Sequence, residues 1–342
     1  MKYDDFNYNK LYEWYKFYKR DLPFRNTNDP YNIWVSEVML QQTQVETVLP
    51  YYRKFIQTFP TILSLAQSDL ENVLSVVQGI GYYRRFKLMH HGAKYIIEHH
   101  QGVFPSSYQE VIKIPSIGRY TAGAVMSIAY NQPYSATDGN VIRVLSRLFM
   151  LDDDFRIDRS KRKVDQINQK LIENSPVPHD YTQSMMELGA KVCRPTQPNC
   201  ISCPLSDICL AKKHQKVNLY PNISALADKK ELIKYHFILS THEGYLMRKR
   251  EENLLHGLYE FIDIEAESLV SAIRGLEELN IDAINFEEVG KTKHIFTHQV
   301  WFNHVITGTL IHNHNETYSL KQNPYDYPMS TVHKRIFQVI KK

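Results

Sequence analysis

The sequence predicts a multidomain chain, with an all-α domain over residues 1–210, a linker over 211–230 and an α+β domain over 231–342. Three observations lead there. Apolar residues recur at helical spacing between turn signals through roughly the first 200 positions, with no sustained period-two alternation. Beyond position 230 the texture changes to short runs rich in β-branched and aromatic residues. Between these regions all four cysteines of the chain fall in one window, as Cys193, Cys200, Cys203 and Cys209. Length agrees, because domains cluster near roughly 100 to 200 residues and this chain has 342.

Taken in order, Asp29-Pro30 supplies a cap and a first-turn proline for a helix through Leu40. Ser68 with Glu71 makes one capping box, and Ser107 with Glu110 another. Further helices are expected at Thr121 to Tyr130, Gly139 to Leu148, Lys161 to Glu173 and His179 to Leu188. The stretch 211–230 is polar and contains Pro221, with few large apolar residues besides Leu219, Tyr220 and Leu226, and reads as a linker. After it, strands are expected at Leu232 to Thr241, Tyr245 to Lys249, Leu258 to Ile262 and, as one long run, His294 to Ile311. Helical patterns recur near Ser268 to Leu279 and Thr331 to Ile340.

With 43% hydrophobic and 23% charged residues the composition is that of a folded globular protein, which excludes disordered and fibrous classes. The start, Met1-Lys2-Tyr3-Asp4-Asp5, has acids where a signal peptide needs a basic head, and no apolar stretch approaches the roughly 18 residues that span a bilayer. A cytoplasmic, nucleoid-associated location with no membrane partner is the expectation. A net charge of +4 and a pI near 8.6 are compatible with a polyanionic partner but do not argue for one alone.

The cysteine spacing is C-x6-C-x2-C-x5-C. Cytosolic context disfavours disulfides. Structural zinc usually takes two close pairs, and only Cys200 and Cys203 form one here, so zinc stays open as an alternative. A [4Fe-4S] cluster needs four thiolates on one compact loop and suits the spacing better. Lys191, Arg194 and Lys212 then become phosphate contacts or, equally, an ordinary solvated basic surface.

Ile114-Pro115-Ser116-Ile117-Gly118-Arg119-Tyr120-Thr121 places a proline-started turn and a glycine directly before an apolar helix. Free amides at such a helix start suit a phosphate, and Gly118 is expected to supply a backbone φ and a close approach that a side chain would block. Upstream, the helix Ile33 to Gln41 is apolar nearly all round, which buries Glu37. Burial disfavours the charged form of a carboxyl group, so an acid in such a place can hold a proton near neutrality; a structural pair with an arginine is the plain alternative. Asp138, in Thr137-Asp138-Gly139-Asn140-Val141, is explained either as an N-cap or as an ionised carboxylate that stabilises positive charge developing on a sugar.

These segments together resemble a known family. The cysteine spacing is that of the endonuclease III and MutY branches of the helix-hairpin-helix DNA glycosylases, and the turn at Ile114–Ala122 looks like their hairpin, with Ser116 where the family usually has glycine. Arg20-Asp21-Leu22-Pro23-Phe24-Arg25, Pro30 to Val45 and Gly79-Ile80-Gly81-Tyr82-Tyr83 resemble MutY-type adenine glycosylases, and the likeness runs from about Leu11 to Cys209 and more loosely beyond. The resemblance implies a base-excision enzyme that removes adenine mispaired with 8-oxoguanine or guanine in double-stranded DNA, working as a monomer. It implies Glu37 as general acid, Asp138 as oxocarbenium stabiliser, and Tyr120 and Asn140 assisting Asp138 and the water near the sugar. Arg20, Arg25 and Gln183 would hold the adenine and orient Glu37, and Cys193, Cys200, Cys203 and Cys209 would bind a [4Fe-4S] cluster.

Adenine is a normal base, so specificity must come from what lies opposite it. By resemblance Gln42, Thr43, Ile80 and Tyr82 wedge into the stack or touch the opposite base. The second domain resembles the MutT-like (Nudix-fold) domain attached to this family, and Phe296-Thr297-His298 matches its Phe-Ser-His loop for 8-oxoguanine, with Thr297 for serine. The clustered glutamates of Nudix hydrolases are missing, Arg274 to Leu279 being at most a remnant, so nucleotide hydrolysis is not expected. Two rivals stand beside this reading. An endonuclease III-like pyrimidine glycosylase with lyase activity needs a lysine where Tyr120 stands. A non-catalytic iron-sulfur DNA-binding protein would use the carboxylates only structurally.

Overall fold

The computed structural model describes residues 6–225 and 228–340. The first five residues, on which the absence of a leader was argued, and Leu226 of the expected linker lie outside the described residues. The chain divides into two compact units: the first runs to Gln67 and resumes from Leu88 to Ala225, and the second joins Ser68–Lys87 to the residues after Ala225. Residues 211–225, expected to be linker, thus group with the first unit, where Ala211 and Tyr220 are buried. No helix is long and apolar enough to cross a membrane.

The helices of the first 225 residues are α1 (Tyr8–Tyr18), α2 (Pro30–Leu40), α3 (Val45–Thr58), α4 (Ile62–Gln67), α5 (Leu70–Val76), α6 (Arg84–His100), α7 (Tyr108–Val111), α8 (Arg119–Ile128), α9 (Gly139–Phe149), α10 (Asp158–Glu173), α11 (Pro178–Lys191) and α12 (Leu210–Lys213). α2 starts where Asp29 accepts the Tyr31 amide at 2.9 Å with Pro30 in the first turn, and it is buried on every side from Ile33 to Met39. A helix without a wet face is an interior one. Two glycines let its neighbours close in. A Cβ on Gly123 of α8 would come within 1.8 Å of the Ser135 carbonyl oxygen, and one on Gly189 of α11 within 2.6 Å of Asn140 Cβ. No larger residue fits at either place, and the close approach brings the starts of α8 and α9 together with α11.

The hairpin before α8 departs from expectation. Gly118 caps α8 with φ −94°, which any residue adopts, and a Cβ there would meet nothing within 4 Å. The left-handed position is Ser116, at φ +77°. At α5 the cap is Asp69, without a side-chain bond, and the Ser68–Glu71 box does not form. Ser107 does cap α7, accepting the Glu110 amide, but the Glu110 carboxylate turns outward to Lys113 at 2.7 Å instead of closing the box.

The second unit holds β1 (Lys230–Thr241), β2 (Gly244–Lys249), β3 (Tyr259–Glu260), β4 (Ile262–Glu265), α13 (Leu269–Glu278), β5 (Ile281–Ile295), β6 (Gln299–Asn313), β7 (Tyr318–Lys321) and α14 (Thr331–Val339). The sheet order is β3-β2-β1-β6-β5, with β4 on β1 and β7 on β2; β1 and β6 run parallel, in register from Lys230 with Gln299. Ala272 and Leu276 of α13 pack on Tyr235, Phe237 and Leu239, while Ile336 and Phe337 of α14 pack on Ile238 and Trp301, so each helix covers one face. The run His294 to Ile311, expected as one strand, is strand β6 from Gln299 onward but is broken near its start by a hairpin turn: β5 ends at Ile295, β6 begins at Gln299, and the Phe296 amide donates to the Gln299 carbonyl at 2.8 Å. β5 escaped the sequence reading because three register shifts against β6 break its alternation.

Candidate functional site

Glu37 lies on α2 with 1% of its surface exposed. The Tyr120 hydroxyl, at the start of α8, donates to Glu37 Oε2 at 2.5 Å, and Arg25 Nη1 stands 3.3 Å from Oε1. Oε1 nevertheless receives no hydrogen bond, and Arg25 Nη1 and Gln183 Oε1 are likewise buried without one. Leaving such an atom without a partner costs about 1 to 3 kcal/mol, and at Glu37 Oε1 and Arg25 Nη1 two of them stand side by side. Gln183 is fixed from its other end: His179 Nδ1 donates to the Ile128 carbonyl at 2.7 Å, which leaves Nε2 to accept from the Gln183 amide at 2.6 Å.

Asp138 caps α9, accepting the Val141 amide on Oδ1 and the Asn140 side-chain amide on Oδ2, both at 2.8 Å. Burial raises its carboxyl above the usual aspartate range, against the lowering by those two bonds and by Arg143. The Tyr120 phenol is pushed well above its ordinary value, first by burial and then by the charges of Glu37 and Asp138. Tyr120 therefore stands within electrostatic reach of both carboxylates and is a neutral hydrogen-bond donor near neutral pH.

Other expected residues stand elsewhere or otherwise. Arg20 does not reach Glu37 through any bond seen; its guanidinium forms a two-pronged pair with the buried Glu187 at 2.8 and 2.9 Å. Gln42 is exposed at φ +56°, and the Thr43 hydroxyl turns back to the Gln41 carbonyl at 3.3 Å. Within the second unit Ile80 is buried at 8% exposure whereas Tyr82 is 54% exposed, which leaves Tyr82 as the side chain able to meet a partner. At the tip of the β5–β6 hairpin Thr297 and His298 are exposed, and Phe296 packs on Trp301 with ring centres 4.7 Å apart. Gly118 opens α8 with no side-chain cap.

None of the four cysteines forms a disulfide, and all four line one cavity together with Arg147. Among the described residues no group of His, Cys, Asp or Glu is placed to hold a single metal ion. Arg147 is 2% exposed and donates to the carbonyls of Arg194, Pro195, Val217 and Tyr220 at 2.7 to 3.0 Å and to Cys193 Sγ at 3.3 Å. No carboxylate among the described residues pairs with it, so a buried positive charge lacks its counter-charge. A cluster held by four thiolates carries net negative charge, and the donor set fits it on that ground.

Sequence reasoning missed Arg147, Arg143, Glu187 and His179. For Arg147 a signal existed, a cation inside the apolar stripe of Val141, Val144 and Leu148 on α9. Arg143, one turn earlier, donates to Asn140 Oδ1 at 2.7 Å and to the Gly189 and Cys193 carbonyls at 2.8 and 2.7 Å, so one side chain ties Asn140 to the cysteine loop. Nothing in the spacing marks Glu187, whose partner lies 167 positions away.

Residues 35–174 match the family described as HhH-GPD superfamily base excision DNA repair protein, and residues 235–339 match a NUDIX domain. The helical part shares its fold with a thermostable thymine-DNA glycosylase, with a TM-score of 0.55 at 23% identity over 60% of this chain and 94% of that one. Fold and site thus define a helical base-excision repair protein with an appended NUDIX domain. An adenine DNA glycosylase of Buchnera aphidicola subsp. Baizongia pistaciae (strain Bp) is 36% identical over 254 residues, which is 72% of this chain and 70% of the relative. The adenine DNA glycosylase of Arabidopsis thaliana is 34% identical over 345 residues, 84% of this chain, and the chain spans only 54% of that relative's length. The chain belongs to the adenine DNA glycosylase family.

Proposed function

We propose that this protein is a monofunctional adenine DNA glycosylase that hydrolyses the N-glycosidic bond of adenine opposite 8-oxoguanine or guanine in double-stranded DNA. The observation that carries the reading is the buried Glu37, bonded on one oxygen by Tyr120 and left unsatisfied on the other beside Arg25. Adenine leaves poorly as an anion, and a proton delivered by Glu37 to N7 lets it leave neutral. A positioned acid contributes about 10² to 10⁴-fold. Asp138, held by Asn140 and the Val141 amide, supports the cationic sugar, and water completes the hydrolysis. Gln183 Oε1, a buried acceptor without a donor, suits the exocyclic amine of the base. Because the base must leave the duplex stack to reach this depth, flipping precedes chemistry. Arg25 steadies Glu37, and Arg20 acts through its pair with Glu187.

Cys193, Cys200, Cys203 and Cys209 would hold a [4Fe-4S] cluster, which supplies a covalent tie for the loop 193–209 and the negative charge that Arg147 lacks. Division of labour follows the sequence boundaries, with the glycosylase domain over 1–210 and an 8-oxoguanine-recognition domain over 231–342. Tyr82 and the tip Phe296-Thr297-His298 read the mispair, Gln42, Thr43 and Ile80 wedge into the stack or touch the opposite base, and the amides after Gly118 take a phosphate. The protein would act as a monomer, at the nucleoid. A phenol at position 120 cannot form the imine that a lyase needs. Duplexes carrying adenine opposite 8-oxoguanine, guanine or thymine, assayed with and without alkali, test the reading: adenine release with strand scission only after alkali is expected. Scission without alkali, or no release, would overturn it.

A further inference from the structure

The turn that presents Tyr82 is built on unusual backbone. Gly79, Gly81 and Tyr82 have φ of +105°, +80° and +52°, and the turn is braced by the Gly79 amide donating to the Tyr83 hydroxyl at 2.8 Å and by the Arg85 guanidinium over the Tyr82 ring at 5.9 Å. A non-glycine residue held at positive φ persists only where its surroundings over-determine it. Those surroundings include the later part of the chain. Glu71 is paired with Lys249, and the Gln78 side-chain amide donates to the Tyr327 carbonyl at 3.2 Å. At the other end of the segment Lys87 meets His256. Tyr259 and Tyr327 pack with ring centres 4.7 Å apart under Lys321, whose ammonium lies 4.9 Å from the Tyr327 ring, so Glu71 enters a surface rich in cations and phenols.

We propose that Glu71 and Gln78 are positioning residues whose grip by Lys249 and Tyr327 fixes the Gly79–Tyr82 turn to the second domain, so that Tyr82 and the hairpin tip 296–298 read the mispair as one body. This rests on the assignment of both elements to mispair reading. A single half-exposed ion pair contributes little, typically under about 1 kcal/mol. Reversal of Glu71 is another matter, since it sets a cation against Lys249, whose charge already bears on Lys87, in place of the Lys249 counter-charge.

The experiment compares full-length wild type with E71K, K249E, the exchanged pair E71K/K249E and the milder E71Q. Hydrogen exchange of the amides 79–83 in the free protein reads the turn, and single-turnover adenine release opposite 8-oxoguanine and opposite guanine reads discrimination. Each reversal is expected to speed exchange in the turn and to lower the 8-oxoguanine preference by about 3 to 10-fold, with the rate at saturating DNA held within about twofold. The exchanged pair should recover most of both. Unchanged exchange and preference in folded single variants overturn the proposal. So does a loosened turn with unaltered preference, an altered preference with an unmoved turn, or an exchanged pair that recovers nothing. Should a reversal fail to fold, E71Q carries the same comparison with smaller shifts. If wild type itself releases no adenine, the functional reading fails while the exchange measurements still decide the grip.

Discussion

Among the described residues Glu37 and Glu260 each have 1% of their surface exposed, and their surroundings differ in kind. Glu260, in the second unit, accepts Arg248 Nε at 2.9 Å on one oxygen and Arg250 Nη1 at 2.6 Å on the other. Arg250 reaches on to Asp263, which also holds Lys234 and whose carboxyl is kept well below the usual range by these cations despite its burial. His333 is the exception there, with neither ring nitrogen bonded, 3.4 Å from Glu260. Glu37 has one bonded oxygen and one bare oxygen beside a bare guanidinium nitrogen. A charge whose partners are complete stabilises a fold. One with an unsatisfied oxygen in a buried place is open to a further polar partner.

The sharpest way to break this comparison is to neutralise each glutamate. Glu37→Gln is expected to lower the single-turnover rate of adenine release by about 10² to 10⁴-fold with little loss of melting temperature and with DNA binding retained. Glu260→Gln should do the reverse, costing about 3 to 5 kcal/mol in chemical denaturation because Arg248 and Arg250 lose a buried partner, while the folded fraction keeps its rate. Equal effects of the two changes on rate would erase the distinction.

Asp138 sharpens it through pH. Its carboxyl is raised by burial, so between its ordinary range and the raised value the folded state binds more protons than the unfolded one. Stability contributed by the group is therefore present at low pH and lost as pH rises through that window. Asp138→Asn removes this penalty. The variant's melting temperature relative to wild type should thus improve as pH climbs from the ordinary aspartate range toward neutrality. Its rate should fall by about 10²-fold and lose the acid limb that Asp138 gives the wild-type profile. A difference in melting temperature independent of pH would remove Asp138 from the set of strained groups.

Arg147 is the third case, a buried cation whose counter-charge must be brought in. Arg147→Met is expected to cost about 3 kcal/mol, since four carbonyls lose their donor, and to lower iron content measured on the purified protein. Full iron with unchanged stability would show that the cysteine loop needs no such balance.

How much of this was legible beforehand follows the range of the interactions. Local signals worked well: Asp29-Pro30 gave the start of α2, the all-round apolar pattern gave the burial of Glu37, and Asp138 before an apolar run gave both its cap and its place. Interactions across the chain left no trace. The Arg20–Glu187 pair and the Tyr120–Glu37 bond join positions 167 and 83 apart, and neither has a spacing that periodicity could show. The assignment of residues 68–87 to the second unit was invisible for the same reason, and β5 was lost because bulges destroy the alternation that announces a strand.

Ser116 is the place where a local signal was read at the wrong residue. Glycine was expected to relieve the hairpin at position 118, yet the left-handed backbone falls at Ser116, φ +77°, at a cost of about 1 kcal/mol relative to glycine. What offsets it is visible: the indole Nε1 of Trp34, a fully buried side chain on the helix of Glu37, donates to Ser116 Oγ at 3.0 Å. Ser116→Ala keeps the strain and orphans the indole, so a loss of about 1 to 3 kcal/mol is expected. Ser116→Gly orphans the indole but removes the strain, and should be the more stable of the two by about 1 kcal/mol. Urea denaturation of both variants reads the difference. If alanine proves at least as stable as glycine, the backbone at 116 is not strained, and the serine is there for the indole alone.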